Sequence, residues 1–194
     1  MIIHLNGWPG VGKYTVGKIV AERLGARFLD NHTLLNIAIA LTDRGTPAYY
    51  ELATKTRDLA FEAISRLPSS EPVVMTGVVA SGGSSSFLID NWRAILSLAE
   101  RRGCSVYSVT LSCSEDENAR RMINGDREAH RKKRNPELLA ELLRTRKLLT
   151  DGATASVEID NTSLSPGSCT DAVIAWLQKT TTINFPSADR VRGI

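Results

Sequence analysis

The chain has little cysteine, no long apolar run and no strong excess of charge. Its three cysteines, Cys104, Cys113 and Cys169, form no CxxC pair and are odd in number, so we expect reduced thiols rather than a disulfide framework or a zinc site. No apolar run approaches the roughly 18–20 residues that a membrane-spanning helix needs. The first residues, MIIHLNGWPG, lack the basic segment of a signal peptide. These absences predict a cytoplasmic protein with no membrane partner.

The charge is nearly balanced overall but is concentrated in one segment. Lys and Arg total 24 against 21 Asp and Glu, a net charge of +3 that is too small to indicate a nucleic-acid partner by itself. Seven of the basic residues fall between Arg120 and Arg134, together with two acids. The length of 194 residues and the apolar content of 42% fit a single domain. We expect this domain to span residues 1–179, followed by a tail over residues 180–194.

Short β-rich runs alternate with longer stretches of helical periodicity along the chain. This alternation predicts a three-layer α/β fold, in which a five-stranded parallel sheet carries helices on both faces. In such sheets ligands bind at the carboxyl ends of the strands. The expected strands cover residues 1–5, 26–29, 73–79, 106–111 and 157–159, and the expected helices cover residues 12–24, 32–41, 47–67, 87–101, 115–123, 136–149 and 168–177.

The strongest motif is GWPGVGKYT, residues 7–15, which lies between the first predicted strand and the first predicted helix. Its glycines allow successive backbone N–H groups to point at phosphate oxygens, and the helix adds its N-terminal dipole. The Lys13 ammonium can reach the β- and γ-phosphates. The alternative is a Gly-rich turn with a solvent-facing lysine. The predicted nucleotide-binding residues here are Gly7, Pro9, Gly10, Val11, Gly12, Lys13, Tyr14 and Thr15.

This loop resembles the GxPGxGKxT loop of the adenylate kinase-like nucleotide kinases. The strict P-loop pattern has a Ser or Thr after the lysine as a Mg²⁺ ligand, whereas Tyr14 stands there in this chain. The resemblance implies that Thr15 contacts the α-phosphate and that Mg²⁺ is held largely through water. It also implies ATP and Mg²⁺ as the cofactors, within a P-loop NTPase fold.

An acidic residue, Asp30, ends the second predicted strand, within the sequence FLDNH. A carboxylate beside the phosphate loop can orient Mg²⁺ through water or accept a proton from an attacking hydroxyl. The alternative is an N-cap of the next helix, by Asp30 or by Asn31. The segment resembles the F-x-D-x-D stretch of the shikimate kinase-like and gluconate kinase-like enzymes. Asp30 matches the first acid, and His32 stands in place of the second, so His32 contacts substrate, donates to a phosphate or merely packs.

Two further positions are candidates for binding the phosphoryl acceptor. In the same kinases an arginine in the helix after the second strand binds an acidic acceptor, which implies this role for Arg57; the alternative is a solvated surface arginine. Gly77 belongs to a run of small residues, 75–83, that would let a substrate approach the backbone. The run lacks the contiguous triple glycine of the shikimate kinase-like enzymes, and this uneven agreement argues against shikimate itself. No Walker-B Asp follows the run, which places the metal role on Asp30.

The basic segment resembles the short Arg-rich lid of nucleotide and small-molecule kinases, here at about residues 115–136. Arginines suit this task because they stabilise the charge that spreads over the transferring phosphoryl oxygens. The resemblance implies that Arg121 lies against the adenine and that Arg127 and Arg131 contact phosphates. The alternatives are a solvated helix face and a nucleic-acid surface. No aromatic residue is interleaved with these basic residues, which counts against stacking on single strands.

The segment VEIDNTS, residues 157–163, resembles the IDTS-type loop that holds adenine in shikimate kinase-like proteins. The resemblance implies that Asn161 and Thr162 bind the nucleotide base. The alternative is a polar loop between a strand and a helix.

Together these motifs predict ATP-dependent phosphoryl transfer to a small-molecule acceptor, by a monomer or a homodimer. The alternatives are a nucleoside monophosphate kinase, with Arg57 and Arg93 at the acceptor phosphate, and a nucleotide-dependent RNA-binding protein with little turnover. The predicted catalytic residues are Lys13, Asp30, Arg127 and Arg131, and the predicted acceptor-binding residues are Asp30, His32, Arg57 and Gly77.

Overall fold

Five parallel strands form the central sheet of the protein. The computed structural model describes residues 1–82, 85–123 and 136–181. The strands in chain order are β1 (Ile2–Asn6), β2 (Arg27–Leu29), β3 (Val73–Thr76), β4 (Ala80–Ser81), β5 (Val106–Ser112), β6 (Lys147–Leu148) and β7 (Ala155–Asp160). The central sheet has the order β2-β3-β1-β5-β7, and β4 and β6 form a separate antiparallel pair.

Helices cover both faces of this sheet. They are α1 (Lys13–Leu24), α2 (Asn31–Leu41), α3 (Pro47–Ser65), α4 (Phe87–Arg101), α5 (Glu115–Met122), α6 (Pro136–Thr145) and α7 (Pro166–Thr180). Within the described parts of the chain, no helix combines the length and the apolarity needed to cross a membrane.

The central strand β1 divides its side chains between two apolar layers. Ile3 and Leu5 pack in a cluster with residues of α1 and α7, whereas Ile2 packs in a second cluster with residues of α3 and α4. This division follows from the alternation of side chains along a strand, and both layers are buried because parallel sheets carry helices on each face. The predicted three-layer fold with a five-stranded parallel sheet is confirmed.

The strand β3 ends at Thr76, three residues earlier than the sequence pattern predicts. Beyond Thr76, the side chain of Asn6 forms hydrogen bonds with the backbone of the segment that follows β3. Its Oδ1 accepts hydrogen bonds from the N–H groups of Gly7 (2.8 Å) and Val79 (2.9 Å), and its Nδ2 donates to the carbonyls of Val79 (3.2 Å) and Leu149 (3.0 Å). Val79 therefore bonds to the side chain of Asn6 and to the backbone N–H of Leu149 (3.0 Å), and the pairing of β3 with β1 ends at Thr76.

The helix predicted over residues 136–149 is also shorter, because α6 ends at Thr145. The next residues form β6, which pairs with β4 through Ala80 opposite Leu148 and Ser81 opposite Lys147. A two-residue strand is too short to show a period, which is why the sequence pattern did not indicate this pairing. The predicted α4 boundaries of 87–101 are confirmed. Most of the predicted lid and residues 182–194 of the predicted tail lie outside the described residues.

We predict that Asn6→Asp lowers the free energy of unfolding by about 3 kcal/mol. A carboxylate keeps the two acceptor contacts, but it leaves the carbonyl of Leu149 without the donor from residue 6 and the carbonyl of Val79 with the backbone N–H of Leu149 alone. The site is fully buried, where a lost partner costs roughly 1–3 kcal/mol. Urea denaturation followed by circular dichroism measures the change. An unchanged midpoint and slope would contradict the structural role assigned to Asn6.

Candidate active site

The phosphate loop, residues 7–12, connects β1 to α1 and depends on glycine at two tightly packed positions. Gly7 and Gly10 have φ angles of 137° and 100°, which side chains rarely adopt. A Cβ at Gly7 would lie 2.4 Å from the carbonyl oxygen of Leu111, and one at Gly10 would lie 2.0 Å from Oδ1 of Asn118. The course of the loop therefore requires glycine at both positions.

The start of α1 is suited to bind an anion. The helix begins at Lys13, and its N-cap residue, Gly12, has no side chain that could bind the first-turn N–H groups. Uncapped N–H groups and the helix dipole attract phosphate in general. The Nζ atom of Lys13 donates hydrogen bonds to the carbonyls of Gly7 (2.6 Å) and Trp8 (2.8 Å), which hold the ammonium group at the loop. The lysine is therefore part of the loop and is not a solvent-facing side chain.

A cleft of about 1210 Å³ lies at the carboxyl ends of the sheet strands, beside this loop. Its lining includes the loop residues 9–15 and contributions from α2, α3 and α4. Gly7 is buried and does not line the cleft. The predicted site residues that the cleft brings together from elsewhere in the chain are Asp30, His32, Arg57, Gly77, Arg121, Asn161 and Thr162. Arg127 and Arg131 lie outside the described residues.

Asp30 both caps a helix and lines the cleft. Its Oδ2 accepts a hydrogen bond from the backbone N–H of His32 (3.0 Å), which makes Asp30 the N-cap of α2. Its Oδ1 accepts a hydrogen bond from Oγ1 of Thr76 (2.6 Å), at the end of β3. The two contacts fix the direction of a carboxylate that is only 7% exposed. The N-cap alternative is therefore confirmed, and the same geometry presents the carboxylate at the cleft.

Arg57 is mostly buried, with 13% of its side chain exposed, so the solvated-surface interpretation is wrong. Its Nη1 donates to Oδ1 of Asn91 (2.7 Å) on α4, and its Nε and Nη2 both donate to Oδ1 of Asp58 (2.9 and 2.7 Å). The guanidinium is therefore held at the wall of the cleft, beside the carboxylate of Asp58.

His32 lies on α2 and is half-buried at the same side of the cleft.

A buried histidine, His4, lies under the cleft and was not identified from the sequence. Its side chain is 1% exposed, its ring lies 5.3 Å from that of Trp92, and its Nδ1 has no hydrogen-bond partner among the described residues. A Cβ at Gly77 would lie 2.8 Å from Nε2 of His4, so the glycine makes room for the imidazole. A polar residue inside the apolar strand IIHLN was the signal available in the sequence.

The environment of His4 keeps its imidazole neutral. Burial, and secondly the charge of Lys13, lower the pKa of His4 from 6.5 to about 3. A neutral ring adds no positive charge beneath the loop at neutral pH.

Arg121 links α5 to the loop after β7. Its Nη1 and Nη2 donate to Oδ1 (2.8 Å) and to the backbone oxygen (3.0 Å) of Asn161, and its Nε donates to Glu117 (2.6 Å). Hydrogen bonds from Arg120 and Arg121 lower the pKa of Glu117 to about 2. Asn161 in turn donates from Nδ2 to the carbonyl of Val11 (2.8 Å) in the phosphate loop. These contacts connect the loop after β7, which is expected to bind the base, with the phosphate loop.

Thr162 is held by its neighbours, whereas Arg93 lies away from the site. The hydroxyl of Thr162 accepts from the N–H of Ser114 (2.8 Å) and donates to Asp160 (2.6 Å).

Arg93 is 73% exposed, pairs with Asp90 and does not line the cleft, so the expectation that it would face an acceptor phosphate is wrong. It lies on the solvent side of α4 because Trp92 and Ile95 take the buried side.

The sheet order and the glycine loop between β1 and α1 define the three-layer fold of the P-loop kinases. The profile of the shikimate kinase family matches residues 9–178. The chain therefore belongs to the shikimate kinase family, which confirms the resemblance stated from its motifs.

Individual relatives agree with this assignment. The chain is 34% identical over 146 residues to a shikimate kinase of Geobacter sulfurreducens, covering 74% of each chain. It is 39% identical over 83 residues to a shikimate kinase of Paracidovorax citrulli, a match that spans 42% of this chain and 43% of that relative. The crystal structure of a putative kinase from Chloroflexus aurantiacus is similar in fold, with a TM-score of 0.66 at 16% identity, over 93% of this chain and 98% of that one.

We predict that His4 makes the stability of the protein fall as the pH is lowered from 6.5 towards 3. In this range the unfolded chain binds a proton at His4 whereas the folded chain does not, so protonation favours unfolding. Between pH 7 and pH 5 the loss from this residue should be about 2 kcal/mol. Urea denaturation at both pH values, compared with His4→Gln, isolates the contribution. The same pH dependence in both proteins would contradict the burial of a neutral His4.

Proposed function

We propose that the protein is an ATP-dependent kinase that transfers the γ-phosphoryl group to a hydroxyl of a small molecule. The observation that carries the proposal is that Lys13, the start of α1 with glycine as its N-cap, and the carboxylate of Asp30 share one cleft. Membership of the shikimate kinase family agrees with this activity. The cleft is also large enough to take a nucleotide and an acceptor together, since small-molecule sites are commonly 300–1,000 Å³.

The loop side of the cleft would bind ATP. The first-turn N–H groups of α1 would bind phosphate oxygens, and the Lys13 ammonium would exchange its carbonyl contacts for the β- and γ-phosphates. Asn161 and Thr162 would lie near the base. Arg121 lines the cleft and would add positive charge at the nucleotide, while the roles of the lid arginines 127 and 131 stay predictions.

The opposite side of the cleft would bind the acceptor. Asp30 would orient the attacking hydroxyl and accept its proton, because its two hydrogen bonds fix the carboxylate in one direction. His32, Arg57 and Gly77 lie on this side and would shape the acceptor site. Relatives in the family are named for shikimate, but His32 in place of an acid and the broken glycine run argue for a different acceptor.

The residues present fit a magnesium ion held mainly by phosphates and water. Tyr14, which stands at the usual hydroxyl position, packs its ring edge against Phe28 at 5.6 Å and offers no loop ligand. Among the described residues, no three His, Cys, Asp or Glu side chains are grouped to hold a metal. Asp30 would contact the hydrated ion, and the exposed Thr15 would contact the α-phosphate, as the resemblance implies. Magnesium would neutralise phosphate charge during transfer.

The two alternative functions have less support. A nucleoside monophosphate kinase would need cations for the acceptor phosphate, and Arg93, one of the two expected, lies outside the cleft. An RNA-binding function would depend on residues 120–134, most of which the structure does not describe, so it stays a prediction.

We predict that Lys13→Ala reduces acceptor-dependent ADP formation at least 100-fold, because the charge on the transferring phosphoryl group loses its nearest cation. ADP formation from Mg·ATP is measured with a panel of nucleosides, nucleoside monophosphates, shikimate, gluconate and hydroxylated antibiotics. Lys18→Ala is the matched control, since Lys18 lies on the same helix, is 57% exposed in its side chain and does not line the cleft.

The proposal fails if the wild-type protein does not bind ATP in calorimetry, or if Lys13→Ala and Lys18→Ala retain equal activity. Stimulation by one acceptor, lost in Lys13→Ala alone, supports phosphoryl transfer at this cleft.

A further inference from the structure

The ring of His4 lines the cleft but has no part in the proposed phosphoryl transfer. His4 lies in the middle of β1, on the same face of the strand as Ile2, because side chains alternate along a strand. Ile2 packs with residues of α3 and α4, so the imidazole points towards that layer, which forms the acceptor side of the cleft. Four apolar residues of this layer also line the cleft: Phe61, Met75, Val79 and Ile95.

The imidazole of His4 is held in place by its neighbours. Its ring centroid lies 5.3 Å from that of Trp92, and Nε1 of Trp92 donates a hydrogen bond to the backbone oxygen of Asp151 (2.7 Å). A Cβ at Gly77 would lie 2.8 Å from Nε2 of His4. Nε2 is therefore the ring nitrogen beside Gly77, and Gly77 lines the cleft as well.

A histidine at this position is costly for stability. The side chain is 1% exposed, and its Nδ1 has no hydrogen-bond partner among the described residues. An apolar side chain in the strand IIHLN would leave no buried polar atom unpaired. Departures of this kind are expected at functional sites, where the polar group serves a ligand at the expense of stability.

His4 and Asp30 approach the end of β3 from its two faces. Oδ1 of Asp30 accepts a hydrogen bond from Oγ1 of Thr76 (2.6 Å), and Nε2 of His4 lies beside the next residue, Gly77. The N–H of Gly77 donates to the carbonyl of Leu5 (3.1 Å), so the chain is still paired with β1 at this point. Since both groups line the cleft, one ligand above the end of β3 can contact both.

The imidazole of His4 is neutral at neutral pH, because burial and secondly the charge of Lys13 lower its pKa to about 3. A neutral imidazole has one N–H donor and one lone pair, so Nε2 forms a single hydrogen bond and attracts no anion by charge. A hydroxyl suits Nε2 in either tautomer, since a hydroxyl both donates and accepts. Anionic groups of an acceptor would instead meet Arg44 and Arg57, which line the same side.

We infer that Nε2 of His4 binds a hydroxyl of the phosphoryl acceptor other than the one that receives the phosphoryl group. His4 is then a specificity-determining residue, and the acceptor carries at least two hydroxyl groups. This inference rests on the proposed kinase function and deepens it by adding a contact that selects the acceptor. Asp30 would serve the reacting hydroxyl, while His4 would fix a second part of the same molecule.

Two amide variants test which ring nitrogen is used. Glutamine places its amide close to the position of Nε2, whereas asparagine places its amide close to that of Nδ1. The acceptor is the one that the wild-type protein prefers among shikimate, D-gluconate, D-glucose, adenosine and uridine. We expect His4→Asn to raise its KM about tenfold, the loss of one hydrogen bond, and His4→Gln to raise it roughly threefold less. In both variants kcat should change less than KM, because Lys13 and Asp30 are untouched.

Ser108→Ala is the matched control. Ser108 lies opposite His4 on β5, and its buried hydroxyl also has no partner among the described residues. Unlike His4, it does not line the cleft. Its substitution therefore changes the packing beneath the cleft but removes no contact to the acceptor, and KM should keep its wild-type value.

Two further measurements separate binding from a structural role. His4→Leu should raise KM as His4→Asn does, yet its urea midpoint at pH 7 should be no lower than that of wild type, because a buried unpaired nitrogen is removed. In wild-type protein with Mg·ADP, the ring ¹⁵N resonance of His4 should shift when the preferred acceptor is added. The chain has three histidines, and the spectrum of His4→Gln assigns this resonance.

The inference is overturned if His4→Asn keeps the wild-type KM, or if Ser108→Ala raises KM as much as His4→Asn does. It is also overturned if His4→Leu lowers the midpoint without changing KM, or if no compound of the panel shifts the resonance of His4. In each case, phosphorylation that Lys13→Ala abolishes leaves the kinase function standing. Absence of ATP binding to the wild-type protein would remove both.

Discussion

The side chain of Asn6 is the contact on which the geometry of the cleft depends. It is fully buried at the end of β1, and all four of its hydrogen-bonding positions are used. Through them it fixes the first N–H of the phosphate loop, the segment after β3 and the segment after β6. A buried amide with every position paired specifies one arrangement, since any other arrangement leaves polar groups without partners. Asn6 therefore connects the phosphate loop to the segments that follow β3 and β6.

The glycines and His4 complete this arrangement. Gly7 and Gly10 allow the loop to pass against Leu111 and Asn118, and the lack of a side chain at Gly77 leaves space for the imidazole of His4. The result is a closely packed floor of small and buried groups under the phosphate loop. Transfer of a phosphoryl group needs little covalent help from a protein and much positioning, so a fixed floor suits the proposed reaction.

The sequence predicts those features that depend on residues close to one another along the chain. The loop, the sheet class and the boundaries of α4 follow from spacing and periodicity, and the structure confirms them. The early end of β3 could not be predicted, because it depends on bonds from Asn6 to residues 73 and 143 positions away. The cluster of Tyr49, Tyr50 and Phe87 at the cleft likewise forms from α3 and α4 after folding. The expectation for Arg93 was wrong because periodicity alone does not say which side of a helix borders a cleft.

The central claim is that this cleft moves a phosphoryl group from ATP to a carbon-bound hydroxyl. ³¹P nuclear magnetic resonance of the protein with Mg·ATP and a mixture of neutral and anionic hydroxyl compounds observes the fate of that group directly. The account predicts that the γ-phosphate signal of ATP is replaced by that of a phosphomonoester, with ADP formed in equal amount. Inorganic phosphate as the sole new product beside ADP would contradict the account and indicate hydrolysis of ATP by water.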